Sequence, residues 1–520
     1  MLRVVSTYLW IDRYLKTCVR SSSVLPRRPL SRHANALFHY AELLEATTCD
    51  DVTIESVRIL SSASRRASRC SIMEVSIACS GREVSCPSDA VIYRGDIFVS
   101  ATHILMVKQA LVRHADGVYT LGGQGNSLVV DLGETLLLVD AGPGGDITDT
   151  MITRLRDSID KPVAYIVYSH GHMGYNNGVN KWLDAAARRG EPAPQIVGHA
   201  NLPARYRRYR ETAGLQSYTN TRQFRSPYPA EPPVHWFQMP GLTYKHRLAL
   251  EGSARKAVLL HAPSETDDGT AVWIPESRVL YGSNAFIKAC PNAGSPYRIL
   301  RDPVRWIDTL ERFSALSPDV LIPEFGKPLT DKAEIEEALG VPAQAMRYLH
   351  SEVVSRMNNG MVIDDIVHDV PLPDALFGNR FMKPGYGCAE FIMRDIWRAE
   401  NGWWNRNPTD MHPARPDRVA AAIRRAIGDP QHVLDRARVL QEEGKLQLAL
   451  HVIDLLADDP SDDAIAQQAR ELKAALCVAR EKTVTSVVSR HLYLSSAEDL
   501  RGLTIGATDR ARGEAGYDWN

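Results

Sequence analysis

The sequence predicts an α/β layered domain followed by an all-α helical domain. Three observations carry that expectation. Short β-rich runs alternate with helical segments from about residue 98 to 335, and only helical spacing continues over 336–500. An apolar strand at Val163–Tyr168 also ends in Ser169-His170-Gly171-His172 and a glycine-rich turn, an arrangement that brings polar side chains to a sheet edge. The chain has 520 residues, enough for two to four domains at about 150 residues each. Its 44% hydrophobic and 24% charged residues exclude collagen-like, wholly disordered and disulfide-scaffold classes. No apolar run reaches the ~18–20 residues a membrane span needs. With 61 Lys+Arg against 62 Asp+Glu the chain is a poor candidate for general nucleic-acid binding, which rests on neutralised phosphates.

The near-neutral total hides an asymmetry. Residues 1–72 hold 11 basic and 6 acidic groups, and Asp12 is the only acid in the first 40 positions. This Arg/Ser-rich leader has the composition of an organellar transit peptide. The alternative is a poorly ordered or non-native extension, with translation beginning at Met73. Eight cysteines, at 18, 49, 70, 79, 86, 290, 388 and 477, form no CxxC or metal-ligand spacing. That favours reduced thiols and a cytoplasmic compartment, or an organellar one if the leader is a transit peptide. Cys290, Cys388 and Cys477 read as small core residues.

Strands are expected at Ile104–Val112, Gly117–Leu121, Asn126–Val130, Thr135–Asp140 and Val163–Tyr168, because each is a short apolar or β-branched run bounded by turn residues. The first is ambiguous, since a short apolar run can equally be helical. Helical periodicity marks Ile147–Ile159 and Val179–Ala187. Beyond 335 it marks Lys332–Leu339, Pro342–Asn358, Glu390–Glu400, Pro416–Ile427, Gln431–Glu443, Leu446–Ala457 and Asp463–Arg480. The segment 437–460 reads as a helix, turn, helix and stop, like one tetratricopeptide-type hairpin. Residues 501–520 read as a tail.

His170 and His172, at i and i+2 where a strand ends, can converge on one ion, and neutral imidazole suits zinc or iron. In this segment the chain resembles the metallo-β-lactamase fold superfamily, and within it the alkyl sulfatases with their helical dimerisation domain. The family's HxHxDH motif stands here as His170-Gly171-His172-Met173-Gly174-Tyr175. Asn126-Ser127, Val139-Asp140 and the downstream Asn401-Gly402-Trp403-Trp404-Asn405-Arg406-Asn407-Pro408 are similar to further family motifs. The resemblance covers roughly residues 105–500. It implies a metallo-β-lactamase-like αββα sandwich over 98–335 and a dimerisation-type helical domain over 336–500, hence a homodimer, with Trp403-Trp404 and the apolar face of Leu446–Leu456 as interface candidates.

Carried over ligand by ligand, the resemblance is partial. It keeps His170 and His172, and it puts Glu265 of Pro263-Ser264-Glu265-Thr266 on a metal-ligand position. The positions specific to a second metal are occupied by Gly174, Tyr175, Ser283 and Phe325, so a dinuclear centre is not expected. The family's sulfate-holding Arg would fall on Pro296, unless Arg298 replaces it by a two-residue shift. What remains is His170, His172 and Glu265 around one divalent metal, zinc ahead of iron. Three protein ligands leave a position open, and zinc so held brings a water pKa to ~7. Tyr175 and Asn177 would stand beside it as catalytic candidates, a proton donor or an oxyanion partner. His261 is read as a strand histidine rather than a ligand.

Three functions follow. The first is a mononuclear metal-dependent hydrolase of an ester-type small molecule, a sulfate ester among the candidates. The second is a degenerate dimeric scaffold without catalysis, suggested by the four replaced positions. The third is a mononuclear iron oxidoreductase, because two histidines and a carboxylate also suit ferrous iron.

Overall fold

The computed structural model describes residues 105–506, together with strands β1 (Val52–Ser61) and β2 (Ser71–Cys79), which pair antiparallel with each other. The rest of the Arg/Ser-rich leader lies outside the described residues, as does most of the 501–520 tail.

Two sheets face each other. The first has seven strands in sequential order: β3 (Leu111–Ala115), β4 (Val118–Gly123), β5 (Gly125–Asp131), β6 (Leu136–Val139), β7 (Val163–Val167), β8 (Gln195–His199) and β9 (Leu242–Tyr244). Its first four strands meander antiparallel, and β6 to β9 run parallel. The parallel crossovers carry α1 (Gly145–Ser158), α2 (Val179–Arg188), and the pair α3 (Leu202–Glu211) and α4 (Ala213–Phe224). The second sheet comprises β10 (Arg247–Glu251), β11 (Lys256–His261), β12 (Thr270–Ile274), β13 (Val279–Tyr281) and β14 (Val320–Ile322), with α5 (Pro303–Leu316) between the last two.

Residues such as Leu128, Val130, Leu137 and Val139 from one sheet and Leu259, Val272, Val279 and Ile322 from the other form one buried core between them. The outer face of the first sheet packs α1 and α2 through Met151, Leu155 and Trp182. Trp306, Leu310 and Phe313 of α5 close the second sheet from outside. This is the αββα sandwich, and it explains why β5 and β6 are apolar on both faces.

The strand expected over Ile104–Val112 is displaced. It forms only from Leu111 to Ala115, and Met106 keeps a single bridge to Gln124. The break expected at Pro342 is absent: α6 runs unbroken from Lys332 to Asn358. An interior proline costs a helix about 3 kcal/mol. Here Ile335, Ala338 and Leu339 before it and Ala345, Met346, Leu349 and Val353 after it are buried in one cluster, which outweighs that cost. The remaining helices are α7 (Ile363–Asp369), α8 (Asp374–Phe377), α9 (Ala389–Asn401), α10 (Pro416–Ala426), α11 (Pro430–Glu442), α12 (Leu446–Ala457), α13 (Ala464–Glu481) and α14 (Val487–Leu500). The last four of these share a satellite core through Leu434, Leu440, Ile453, Leu476 and Ala497. Cys290 and Cys477 are buried and Cys388 partly so; all three are free thiols. Among the described residues no helix is long and apolar enough to cross a membrane.

Candidate metal and anion site

Strands β6 and β7 run parallel and end side by side, so Asp140 and Ser169-His170 leave the sheet at one edge. Asp140 is left-handed, with φ 65°, which turns its carboxylate back onto the neighbouring strand end. It accepts hydrogen bonds from Ser169 N at 2.9 Å, Ser169 Oγ at 2.5 Å and Asn176 Nδ2 at 2.9 Å. Burial raises its pKa to about 6, those donors acting in the opposite sense, so it is mainly a carboxylate at neutral pH.

Ser169 Oγ also lies 2.8 Å from His170 Nδ1. With the serine proton given to Asp140, Nδ1–H donates to Ser169 and His170 Nε2 carries the lone pair. That Nε2 is buried without a hydrogen-bond partner, and it faces Glu324 Oε1, equally buried and unpartnered, at 3.8 Å. Beside this pair, His172 Nδ1 lies 4.0 Å from Glu265 Oε2. The two imidazoles meet edge to face at 4.7 Å, and the Tyr175 ring lies 4.4 Å from His170.

Burial, with Arg205 and Arg301 adding to it, lowers the His170 pKa to about 3 despite the opposing charge of Glu265. Burial and His170 pull His172 well below its usual value. Both imidazoles are therefore neutral, the state a metal ligand requires. Glu324 is pushed well up by burial and by the charge of Glu265. Facing orphan atoms on an imidazole and a carboxylate are what a divalent cation would satisfy and hydrogen bonding does not, so this donor set fits such an ion.

His170, His172 and Glu265 thus come to one place, but not as the closed three-ligand cluster expected. Among the described residues no three His, Cys, Asp or Glu side chains converge into a metal cage. The reason is local: Glu265 Oε1 is turned onto Arg301 Nη1 and onto Asn292 Nδ2 at 2.9 Å. Glu324 was not among the sequence-derived candidates. It sits one position before Phe325, where the lost ligand was sought, and an acid directly after a Pro at the β14 strand end was the available signal.

The second-metal positions are filled by other matter. Gly174 has φ 97°, and a Cβ there would collide with the Gln124 side chain, which donates to Met173 O at 2.9 Å. Tyr175 and Phe325 belong to one buried apolar cluster with Leu105, Ile287 and Tyr386. Ser283 is fully enclosed. His261 stacks on His199 at 3.8 Å and bonds Asp267 O, as a strand histidine would.

A cavity of about 370 Å³ opens over the site, lined by His172, Tyr175, Asn177, Glu265 and Glu324 at one end. Apolar walls come from Leu105, Leu215, Phe224, Ile287 and Ile299. Asn177 is anchored by accepting from Gly174 N at 3.1 Å. Four arginines also line the cavity: Arg205, Arg208, Arg298 and Arg301. Arg205 is tied to Asp267 and Asp268, and Arg301 to Glu265. Arg298 donates to Asn220 Oδ1 at 2.8 Å and has no carboxylate within ion-pair distance among the described residues. Burial and the Arg301 charge lower its pKa. An apolar pocket with an unpaired cation and a metal-competent corner can hold an amphiphilic anion and attack a bond in it.

Both domains resemble known proteins. Residues 120–323 match the metallo-β-lactamase superfamily, and residues 362–502 match the alkyl sulfatase dimerisation domain. A linear primary-alkylsulfatase of Pseudomonas sp. (strain ATCC 19151) is 26% identical over 73% of this chain and 74% of its own length. The alkyl/aryl-sulfatase BDS1 of Saccharomyces cerevisiae is 23% identical over 75% of this chain, which spans 64% of that relative. Among solved structures, the inverting sec-alkylsulfatase Pisa1 from Pseudomonas sp. superposes with a TM-score of 0.65 at 18% identity, over 76% of this chain and 66% of that one. The last likeness speaks to the fold.

Proposed function

The chain joins a metallo-β-lactamase superfamily domain to an alkyl sulfatase dimerisation domain and so belongs to the alkyl sulfatase-like branch, and from that premise we propose that it is a metal-dependent hydrolase of sulfate esters of apolar alcohols, working with one divalent cation, zinc ahead of iron. The observation that carries the reading is the facing pair of buried, unpartnered atoms, His170 Nε2 and Glu324 Oε1. His170, His172, Glu265 and Glu324 would hold the ion. A divalent cation so held supplies Lewis acidity and an activated water at neutral pH.

The chain's own groups do the rest. The apolar walls take the hydrocarbon part and exclude bulk water from the reacting end. Arg298 receives the anionic head through charge-assisted hydrogen bonds. Burial and Glu324 push the Tyr175 phenol well up, so it stays protonated and can give its proton to the departing alkoxide oxygen. Asn177 contributes an amide donor at the same end. The packing of Tyr175 with Phe325 in the space of a second metal supports a single ion, and equally supports the catalytically silent scaffold as the rival reading.

Purified protein should carry about one equivalent of zinc or iron, release sulfate from a medium-chain alkyl sulfate, and lose that activity on chelation. Sulfate release indifferent to chelator overturns metal dependence. Metal-free protein without turnover favours the scaffold.

We also propose a homodimer. Trp403 is 75% exposed, and Leu448 and Leu455, two turns apart on one face of α12, are 53% and 40% exposed, large apolar side chains left open on the dimerisation-type domain. Light scattering should give twice the chain mass, falling to one chain mass in Leu448→Glu/Leu455→Glu. A monomeric parent protein overturns this.

A further inference from the structure

We propose that the buried Arg205–Asp268 ion pair is a positioning device. It locks the Gly171 turn between the two histidines to the loop that carries Glu265, and so sets the spacing of the candidate metal ligands. It rests on the metal reading above and extends it to two residues that act on the ion without touching it.

Gly171 stands between His170 and His172, where the chain leaves β7. Its φ is not left-handed, so backbone conformation does not demand a glycine there. The demand comes from its neighbours. A Cβ at Gly171 would lie 2.7 Å from Arg205 Cδ, 2.9 Å from Asp268 Oδ2 and 3.3 Å from Tyr206 Cε1. The ion pair therefore rests directly on the turn, closer than any intervening side chain would permit.

Both partners are committed to each other. Arg205, on α3, is 8% exposed; its Nε donates to Asp268 Oδ1 at 2.8 Å, and its Nη2 pairs with Asp267. Asp268 is fully buried, and its Oδ2 has no hydrogen-bond partner. Either group alone would be an uncompensated buried charge. A buried ion pair adds little net stability over apolar packing, but it fixes its partners in one relative geometry.

That geometry concerns three segments. Asp267 and Asp268 belong to the β11–β12 connection, and Glu265 stands three residues before Asp268. The end of this connection is stitched to β7, since Thr270 N donates to Ser169 O at 2.7 Å. Its middle is stitched to the start of α3, since Asn201 Nδ2 donates to Asp267 O at 2.9 Å. Arg205 closes the triangle from α3 across Gly171. Asp268 is not among the residues lining the cavity, so a change there reaches the ligands only through the pair and the turn.

The test strips the full-length protein with a chelator and titrates zinc against a chromophoric competitor. Asp268→Asn keeps the shape and removes the charge, and should weaken zinc affinity by about 10–100-fold, the usual effect of an outer partner of a metal ligand. Arg205→Met should match it, and the double variant should be no weaker than either single one, because the two act as one unit. Arg205→Lys should recover part of the loss. At saturating zinc, Asp268→Asn should lower kcat for a medium-chain alkyl sulfate and leave KM within about twofold of the parent. Should these variants fail to fold, two milder ones decide. Asp267→Asn, whose side chain is 54% exposed, should lose zinc affinity by a few fold. Gly171→Ala, which pries the pair off the turn, should lose about tenfold. In metal-free protein the ring ¹⁵N signals of His170 and His172 should move in Asp268→Asn, while those of His451 on α12 stay.

Zinc affinity within about twofold of the parent in all these variants overturns the lock and leaves the metal reading standing. A parent that takes up no zinc overturns the metal reading instead; the lock then stands if the two histidine signals move and falls if they do not. A KM that drops about tenfold in Asp268→Asn with zinc affinity unchanged also overturns the lock, because Arg205 is then an anion-binding group restrained by Asp268.

Discussion

Replacing His170 with alanine should lower kcat/KM by at least about 10³-fold, or ~4 kcal/mol of transition-state stabilisation, and strip the protein of its metal. The size follows from the position of this side chain. It is fully buried at the end of β7, its Nδ1 is committed to Ser169 at 2.8 Å, and its Nε2 has no protein partner to compensate for removal from water. The variant therefore removes a directed lone pair rather than a redundant contact. Ser169→Ala is the graded companion. It frees the imidazole from the Asp140–Ser169 chain while leaving the ligand in place, and such outer partners are worth about 10–100-fold in metal affinity. Glu324→Gln keeps the shape but removes the anion, and should behave like His170→Ala in metal content. Elemental analysis and steady-state kinetics read all three, with circular dichroism confirming the fold. Full metal occupancy and turnover within tenfold of the parent in His170→Ala would place the chemistry elsewhere.

How much of this was legible in the sequence depends on whether the signal is local. The strands β4 to β7 are short runs rich in apolar residues, and they form within one or two residues of expectation because a doubly covered sheet demands apolar residues on both faces. His170 and His172 were visible because they follow such a strand directly. Helices α3 and α4 were not. Their Arg205-Tyr206-Arg207-Arg208-Tyr209-Arg210 run mixes charge and aromatics, since the buried face is built from Tyr206 and from an Arg205 paired to Asp268 rather than from aliphatic residues. That concealed the cavity wall and with it the lock on Gly171, which joins residues far apart in the chain and leaves no trace in a sequence. Pro342 misled in the opposite sense, because tertiary burial overrode a local breaker. Glu324 was missed because ligand positions were carried over one residue at a time. The site instead puts a carboxylate one residue earlier, and Phe325 packs behind it.

Arg301 should prove to be the side chain on which the metal-free site most depends for stability. It is 4% exposed, ion-paired to Glu265, and donates to Asn292 O at 2.7 Å, while its backbone N–H is held by Asp395 at 2.8 Å. The cluster puts two carboxylates, Glu265 and Glu324, in one poorly solvated corner, where burial and then the charge of Glu265 push Glu324 upward. In the absence of an ion, Arg301 is the cation that keeps Glu265 acceptable there. Arg301→Met removes that cation with little change in volume. Breaking one side of a buried pair typically costs 3–5 kcal/mol, because the remaining charge is left uncompensated. Urea denaturation of the chelator-treated protein, followed by tryptophan fluorescence, should show a loss of roughly that size. The double variant Arg301→Met/Glu265→Gln should regain more than half of it, since the stranded charge is then gone. A double variant no more stable than Arg301→Met alone would show that the arginine acts by packing its stem. The same coupling bears on metal loading. An ion entering beside Glu265 competes with the guanidinium for one carboxylate, so Arg301→Met should be rescued by zinc more strongly than the parent protein is stabilised by it. Equal stabilisation of the two by zinc would mean that Glu265 stays on the arginine and does not bind the ion.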